Sequence, residues 1–306
     1  MLKSIITLLA AGSIGLAGVL RPLPLTIEQH PQKALLGKKL FFDTQLSRDR
    51  TISCASCHDL QHGGDDGRRV SEGIGGAKGE VNAPTVYNTV FNFRQFWDGR
   101  ARDLKDQASA PIENPVEMGF TMKELALRLR KDPAYVRLFS AIYPEGITPD
   151  TIADAIAEYE KGLITPNAPF DRYLRGDMNA LSEQAKKGYR LFQSKGCVIC
   201  HNGINIGGNL YNKFGIYQDA NSTQLGRYHV TRRPEDKYVF KVPSLRNVAL
   251  TAPYMHDGRF ETLEEAVRFM TEFQLGRFIS REEIAAIVAF LKSLTGEIPP
   301  SAKRRP

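Results

Sequence analysis

The chain has 306 residues, 42% hydrophobic and 25% charged, with a formal net charge of +7 and a single Trp. Such a composition belongs to a folded protein of one large or two medium domains and excludes disordered, collagen-like and polytopic membrane chains. The positive charge is spread along the chain apart from a short Lys303-Arg304-Arg305 tail, which argues against nucleic acid as a partner and fits a basic face for an acidic protein, or simple solubility.

At the N-terminus Lys3 precedes an uncharged apolar run from Ile5 to Leu20, cut off by Arg21-Pro22-Leu23-Pro24. This profile predicts an export signal over residues 1–20, either cleaved or retained as a membrane anchor. Next in the chain comes Cys54-Ala55-Ser56-Cys57-His58, and far downstream Cys197-Val198-Ile199-Cys200-His201; the four cysteines of the chain all fall in these two frames. C-x-x-C-H is the pattern of covalent c-type haem attachment, in which two thiols bond to the porphyrin and the His binds iron. A zinc site would pair its C-x-x-C halves about 15–20 residues apart. Redox dithiols need no His after the second Cys, and disulfides within C-x-x-C would close tiny, strained loops. Two covalent haems are therefore predicted, and export fits them, because such haems are attached outside the cytoplasm.

Elsewhere the pattern is helical. Thr148 to Lys161 places Ile152, Ile156 and Tyr159 on one face, and Thr262 to Phe273 shows the same spacing. Ser280-x-x-Glu283 is a capping box leading into Ile284, Ile287, Val288 and Leu291, closed by Gly296 and Pro299. No run alternates as a strand, and long Gly/Pro/Asn loops cover residues 63–84 and 202–243. Short strings also recur in order. Gly37-Lys38-Lys39-Leu40-Phe41 answers Gly188-Tyr189-Arg190-Leu191-Phe192, Pro84 to Asn88 answers Pro243 to Asn247, and Asp98-Gly99-Arg100 answers Asp257-Gly258-Arg259. The prediction is a mainly α protein of two cytochrome c-like haem domains related by duplication, with long connecting loops. A break at Thr165-Pro166-Asn167-Ala168-Pro169 divides it into residues 24–165 and 166–306.

A haem with two protein ligands carries electrons, whereas one with an open sixth position does chemistry. Candidate sixth ligands outside the motifs are His30, His62, His229, His256, Met118, Met122, Met178, Met255 and Met270.

Several stretches together resemble the bacterial dihaem cytochrome c peroxidases, over nearly all of the chain after residue 20. They are Leu36 to Asp43, Cys54 to His58, Asn82 to Asn88, Gln95-Phe96-Trp97-Asp98-Gly99-Arg100, Cys197 to His201, and Leu250 to Gly258. The resemblance implies reduction of hydrogen peroxide to water in the periplasm by a homodimer, with electrons from a small cytochrome c or a blue-copper protein. It implies that the second haem, with His201 and Met270 as ligands, receives electrons, with Met255 as the competing thioether. It makes the His58 haem the peroxidatic one, Glu117 and Gln107 the polar groups that handle peroxide, with Glu113 as the nearest competitor to Glu117, and Trp97 the aromatic bridge between haems. Asn82, Thr251 and Pro253 match a calcium site. The chain departs from the family at Ile74, which stands where a distal His is expected. Isoleucine cannot ligate iron, and His62 is only four residues from His58, so the first haem is expected to need no reductive activation. Two alternatives stand beside this reading: a dihaem electron carrier without peroxidase activity, and a related oxidase acting on a partner protein with Tyr in place of Met. Met270 argues against the second, while Tyr254 keeps it open.

Overall fold

The computed structural model describes residues 20–303. The expected export segment up to residue 19, and residues 304–306 of the basic tail, lie outside the described residues. In the first half the helices are α1 (Pro31–Phe41), α2 (Cys54–Cys57), α3 (Leu104–Glu113), α4 (Met122–Leu129), α5 (Pro133–Ser140) and α6 (Pro149–Lys161). The second half follows with α7 (Pro169–Leu174), α8 (Glu183–Ser194), α9 (Tyr228–Thr231), α10 (Leu263–Phe269) and α11 (Arg281–Lys292).

The helix starts follow capping chemistry written in the sequence. Thr148 caps α6 in front of Pro149, Thr262 and Glu265 cap α10 reciprocally, and Ser280 and Glu283 do the same for α11. Two features differ from the sequence reading. The helix expected through Phe273 leaves α-geometry at Met270 and continues as a π turn, Met270–Gln274. Within the loop 202–243 a small antiparallel ribbon forms from β1 (Tyr211–Lys213) and β2 (Val239–Lys241). Its strands are three residues each, too short for alternation to register.

The duplication is visible in how each half is built. In the first, α1 crosses α6 so closely that a Cβ on Gly37 would lie 1.8 Å from the Ala155 carbonyl oxygen; in the second, α8 crosses α11 and a Cβ on Gly188 would lie 1.8 Å from the Ala286 carbonyl oxygen. Only glycine permits that backbone approach. Around each crossing lies a separate core. The first gathers Leu40, Ile112, Leu125, Phe139, Ile152 and Ile156, and the second Phe170, Phe192, Ile206, Ile287, Val288 and Phe290. Burying each such side chain contributes about 1.5–3 kcal/mol.

The chain ends cross over. Leu20 joins the second core, and Leu23 N donates to Asp171 Oδ1 (3.2 Å), whose carboxylate pairs with Arg246 (2.7 Å). Both partners of that ion pair are fully buried, and Arg246 directs its other nitrogens to the carbonyls of Ile204 and Arg21, so the charge is offset by hydrogen bonds. At the other end, Ala302 packs with Phe41, Leu60, Tyr87 and Tyr159 of the first half.

The halves are tied together at Thr165. Asn88 and Asn247, equivalent residues in left-handed conformation with φ 62° and 60°, both donate a side-chain N–H to Thr165 Oγ1, at 2.8 and 2.9 Å. Asn88 Oδ1 accepts from Thr165 N (2.9 Å) and Asn247 Oδ1 from Gly296 N (3.0 Å). All three side chains are buried. Thr165→Val removes the acceptor of two buried amides while keeping the shape, and is expected to cost about 2–4 kcal/mol in denaturant unfolding. Thr165→Ser is expected to unfold close to wild type; equal stability of the Val variant would contradict the role of this shared acceptor.

Candidate functional site

The first C-x-x-C-H frame is a single helical turn. Ser53 N donates to Ser56 Oγ (3.0 Å) and His58 N to Cys54 O (3.0 Å), so Cys54 and Cys57 share one face with His58 directly behind them. His58 Nδ1 lies 3.1 Å from the Gly64 carbonyl oxygen. A carbonyl only accepts, so Nδ1 carries the proton and Nε2 presents its lone pair, the tautomer an iron ligand needs. The second frame starts after Gly196, at φ 98°, as a tight turn with His201 N on Cys197 O (3.0 Å). His201 is enclosed beside the carbonyls of Ile206 and Pro243, and burial pushes its pKa down to about 4, keeping the imidazole neutral. The four thiols are free, and burial pushes Cys57 and Cys197 up to about 11. Two unpaired thiols three positions apart, followed at once by a His, are the donor set that covalent haem takes.

A cavity of about 240 Å³ opens at the second frame. Cys197, Cys200, His201, Trp97, Met255 and Met270 all line it. Met270 sits on the π turn, a helical irregularity common at functional positions, and Met255 comes from a left-handed position with φ 74°. The wall also draws on the first half. Trp97 Nε1 donates to the Asn82 carbonyl (2.9 Å), Asn82 N to the His256 carbonyl (2.8 Å), and Lys241 N to the Trp97 carbonyl (2.7 Å). The single Trp is thus fixed at the seam between the two halves.

Ile74 is buried in a turn that packs on the segment 114–119. Its N–H donates to the Glu117 carbonyl (2.9 Å), and a Cβ on Gly119 would lie 2.3 Å from Ile74 Cδ1. Glu117 Oε1 accepts from Asn114 Nδ2 (2.6 Å). Burial raises its pKa above the usual carboxylate range, against the lowering by that hydrogen bond and by Arg100. The Glu117 charge also reaches Cys57, which puts the carboxyl in the surroundings of the first frame. Gln107 is half-buried on α3, and no hydrogen bond joins its side chain to Glu117 among the described residues. Glu113 is exposed at the end of α3. His62 is on the surface, paired with Asp59 at 2.7 Å.

Asn82, Thr251 and Pro253 lie together on the cavity wall. Among the described residues there is no cluster of three His, Cys, Asp or Glu side chains that could hold a metal. No helix among them is long and apolar enough to cross a membrane.

Besides the Arg246–Asp171 pair, three buried charged residues escaped the sequence reading. Glu160 on α6 is pushed up to about 8 by burial and its charge reaches Cys54. It falls four residues after Ile156 and eight after Ile152, on the apolar stripe, so the helical period could have flagged it. Asp65 is buried, with neither carboxylate oxygen in a well-aligned hydrogen bond, and is pushed up to about 7. Lys241 is buried in β2 and pushed down to about 8. Neither of these has a local signal.

A family profile described as di-haem cytochrome c peroxidase matches residues 31–179, and one described as cytochrome c matches residues 185–295. The chain is 49% identical to a cytochrome c peroxidase of Escherichia coli K12, over 92% of this chain and 62% of that protein, so it spans less than two thirds of that relative's length. It is 44% identical to the cytochrome c551 peroxidase of Nitrosomonas europaea, over 95% of this chain and 88% of that protein. Among solved structures it is similar to a MauG-like protein associated with microbial copper homeostasis, with a TM-score of 0.78, 29% identity, and coverage of 92% of this chain and 96% of that one. With two haem-attachment frames in two similar halves, and relatives of this identity and coverage, the chain belongs to the di-haem cytochrome c peroxidase family.

Proposed function

We propose that the chain reduces hydrogen peroxide to water at its first haem, with electrons that enter at the second from a small cytochrome c or blue-copper protein. The observation that carries this reading is the unequal surroundings of two equivalent frames: a thioether-lined cavity at one, and the half-buried Glu117 carboxyl beside the aliphatic Ile74 turn at the other. Haem bound at both frames supplies an iron that binds peroxide and a second that stores and passes electrons. His58 and His201 provide neutral imidazoles for the two irons. Met270 on its π turn lines the same cavity as His201 and would be the thioether ligand of a haem held there, one that would raise the reduction potential and suit electron entry. Trp97, hydrogen-bonded between Asn82 and the β2 strand, lies on the path from the second site to the first.

At the first site Glu117 handles protons. Reduction of peroxide to two waters takes two electrons and two protons, and a carboxyl at this site would move a proton from one peroxide oxygen to the other. Asn114 fixes the Glu117 carboxyl, and burial raises its pKa above the usual carboxylate range, which favours holding a proton it can pass on. Gln107 helps orient peroxide. Ile74 offers no donor atom, so its turn would supply no ligand to an iron held at His58, and no prior reduction would be needed to clear one. Export to the periplasm accompanies this reading, since covalent haem is attached there.

A calcium ion at Asn82, Thr251 and Pro253 belongs to the same proposal. Asn82 commits Nδ2 to the Arg68 carbonyl (2.8 Å), which leaves Oδ1 as an oxygen donor. Asp65 Oδ1 and the Leu250 carbonyl oxygen, one residue before Thr251, both close on Gly63. Neither Asp65 carboxylate oxygen has a well-aligned hydrogen-bond partner, and a hard dication would supply one. Calorimetric titration of calcium into chelator-stripped holoprotein is expected to give one site per chain, with weaker binding in Asn82→Ala; absence of binding overturns the site.

Stopped-flow reaction of the untreated, fully oxidised holoprotein with peroxide tests the main reading. Wild type is expected to react at once, and Glu117→Gln to lose roughly 100-fold in rate with both haems still bound. Ile74→His installs an imidazole on the distal turn and is expected to make the reaction wait for pre-reduction. A wild-type protein that itself waits for pre-reduction would contradict the reading.

A further inference from the structure

Lys241 is the group the proposed mechanism leaves without a role. It ends β2, its residue is only 5% exposed, and it lines the same cavity as Cys197, Cys200, His201 and Trp97. Its backbone is occupied: the N–H donates to the Trp97 carbonyl and the residue faces Tyr211 across the ribbon. No carboxylate of the described residues pairs with its ammonium, and burial alone lowers its pKa, with no acidic neighbour to offset it. The fully buried Arg246, by contrast, has its counter-charge in Asp171 at 2.7 Å. A buried ammonium without a counter-charge is costly unless the partner is supplied from outside the chain.

Haem is an anion of the required kind. Its two propionates leave the ring on the side opposite the vinyl carbons that cysteines take, so a ring anchored at Cys197 and Cys200 would turn its carboxylates away from the cysteines, within the cavity that Lys241 also lines. We propose that Lys241 is the counter-ion of a propionate of the second haem, which it holds against the Trp97 wall and whose reduction potential it sets. The proposal rests on the haem reading of the second frame. Because the ammonium stabilises the site with an extra electron more than the site without it, its removal favours the oxidised haem.

The test is potentiometric titration of holoprotein, with haem content counted first as covalent haem per chain. Lys241→Met is expected to raise the oxidised-to-reduced ratio of the second haem about tenfold at a fixed potential, a fall of about 59 mV for one electron, and to leave the first haem close to its wild-type midpoint. Lys241→Arg keeps the charge and is expected to titrate as wild type. Lys241→Gln retains a hydrogen-bond donor and asks the same question if the Met variant fails to fold. Two haems per chain with unmoved midpoints in the neutral variants overturn the proposal alone. One haem per chain in the wild type overturns the haem reading beneath it.

Discussion

The hydroxyl of Thr165 accepts hydrogen bonds from Asn88 and Asn247, and the placement of everything near the seam depends on that shared acceptor. Each Asn stands at the same point of its own half, in left-handed geometry, with its backbone N–H on the carbonyl of Leu163 or Leu294 just past the closing helix. A residue from the link between the halves thus serves both copies of one motif. The amides have no water to turn to, so the two halves are held in one register, or two buried donors are lost.

That register gives the second cavity its composition. Asn82 and Trp97 belong to the first half, Met270 and His201 to the second, and a chain of backbone contacts through Asn82, His256, Trp97 and Lys241 joins them. Sharing one wall between both halves fixes Trp97 at the seam between them. The same duplication is used differently at the two frames. One copy keeps a thioether-bearing helix beside its His, and the other has a buried isoleucine turn locked to the segment that carries Glu117.

The haem frames were legible in the sequence because covalent attachment needs both thiols and the His within five consecutive residues, a local string that no tertiary context can disguise. The close helix crossings were legible in part, as the recurring Gly-x-x-Leu-Phe of residues 37–41 and 188–192, although the reason for each glycine emerges only once Ala155 and Ala286 are seen opposite. The π turn at Met270 was not legible, since residues 262–273 keep their apolar spacing while one turn widens. Lys241 was hidden for another reason. Between Phe240 and Val242 it looks like the solvent side of a short strand, and its burial depends on non-local neighbours, Tyr211 across the ribbon and Trp97 of the first half. The crossing of the chain ends, Leu20 to the second core and Ala302 to the first, is equally non-local.

The central claim is that the two frames hold unlike irons because Ile74 leaves the first without a distal protein ligand. Low-temperature electron paramagnetic resonance of the fully oxidised, untreated holoprotein addresses it most directly. The account predicts one high-spin ferric signal from the first haem beside one low-spin signal of His/Met type from the second. Two low-spin signals, one of them with a bis-imidazole signature, would contradict it.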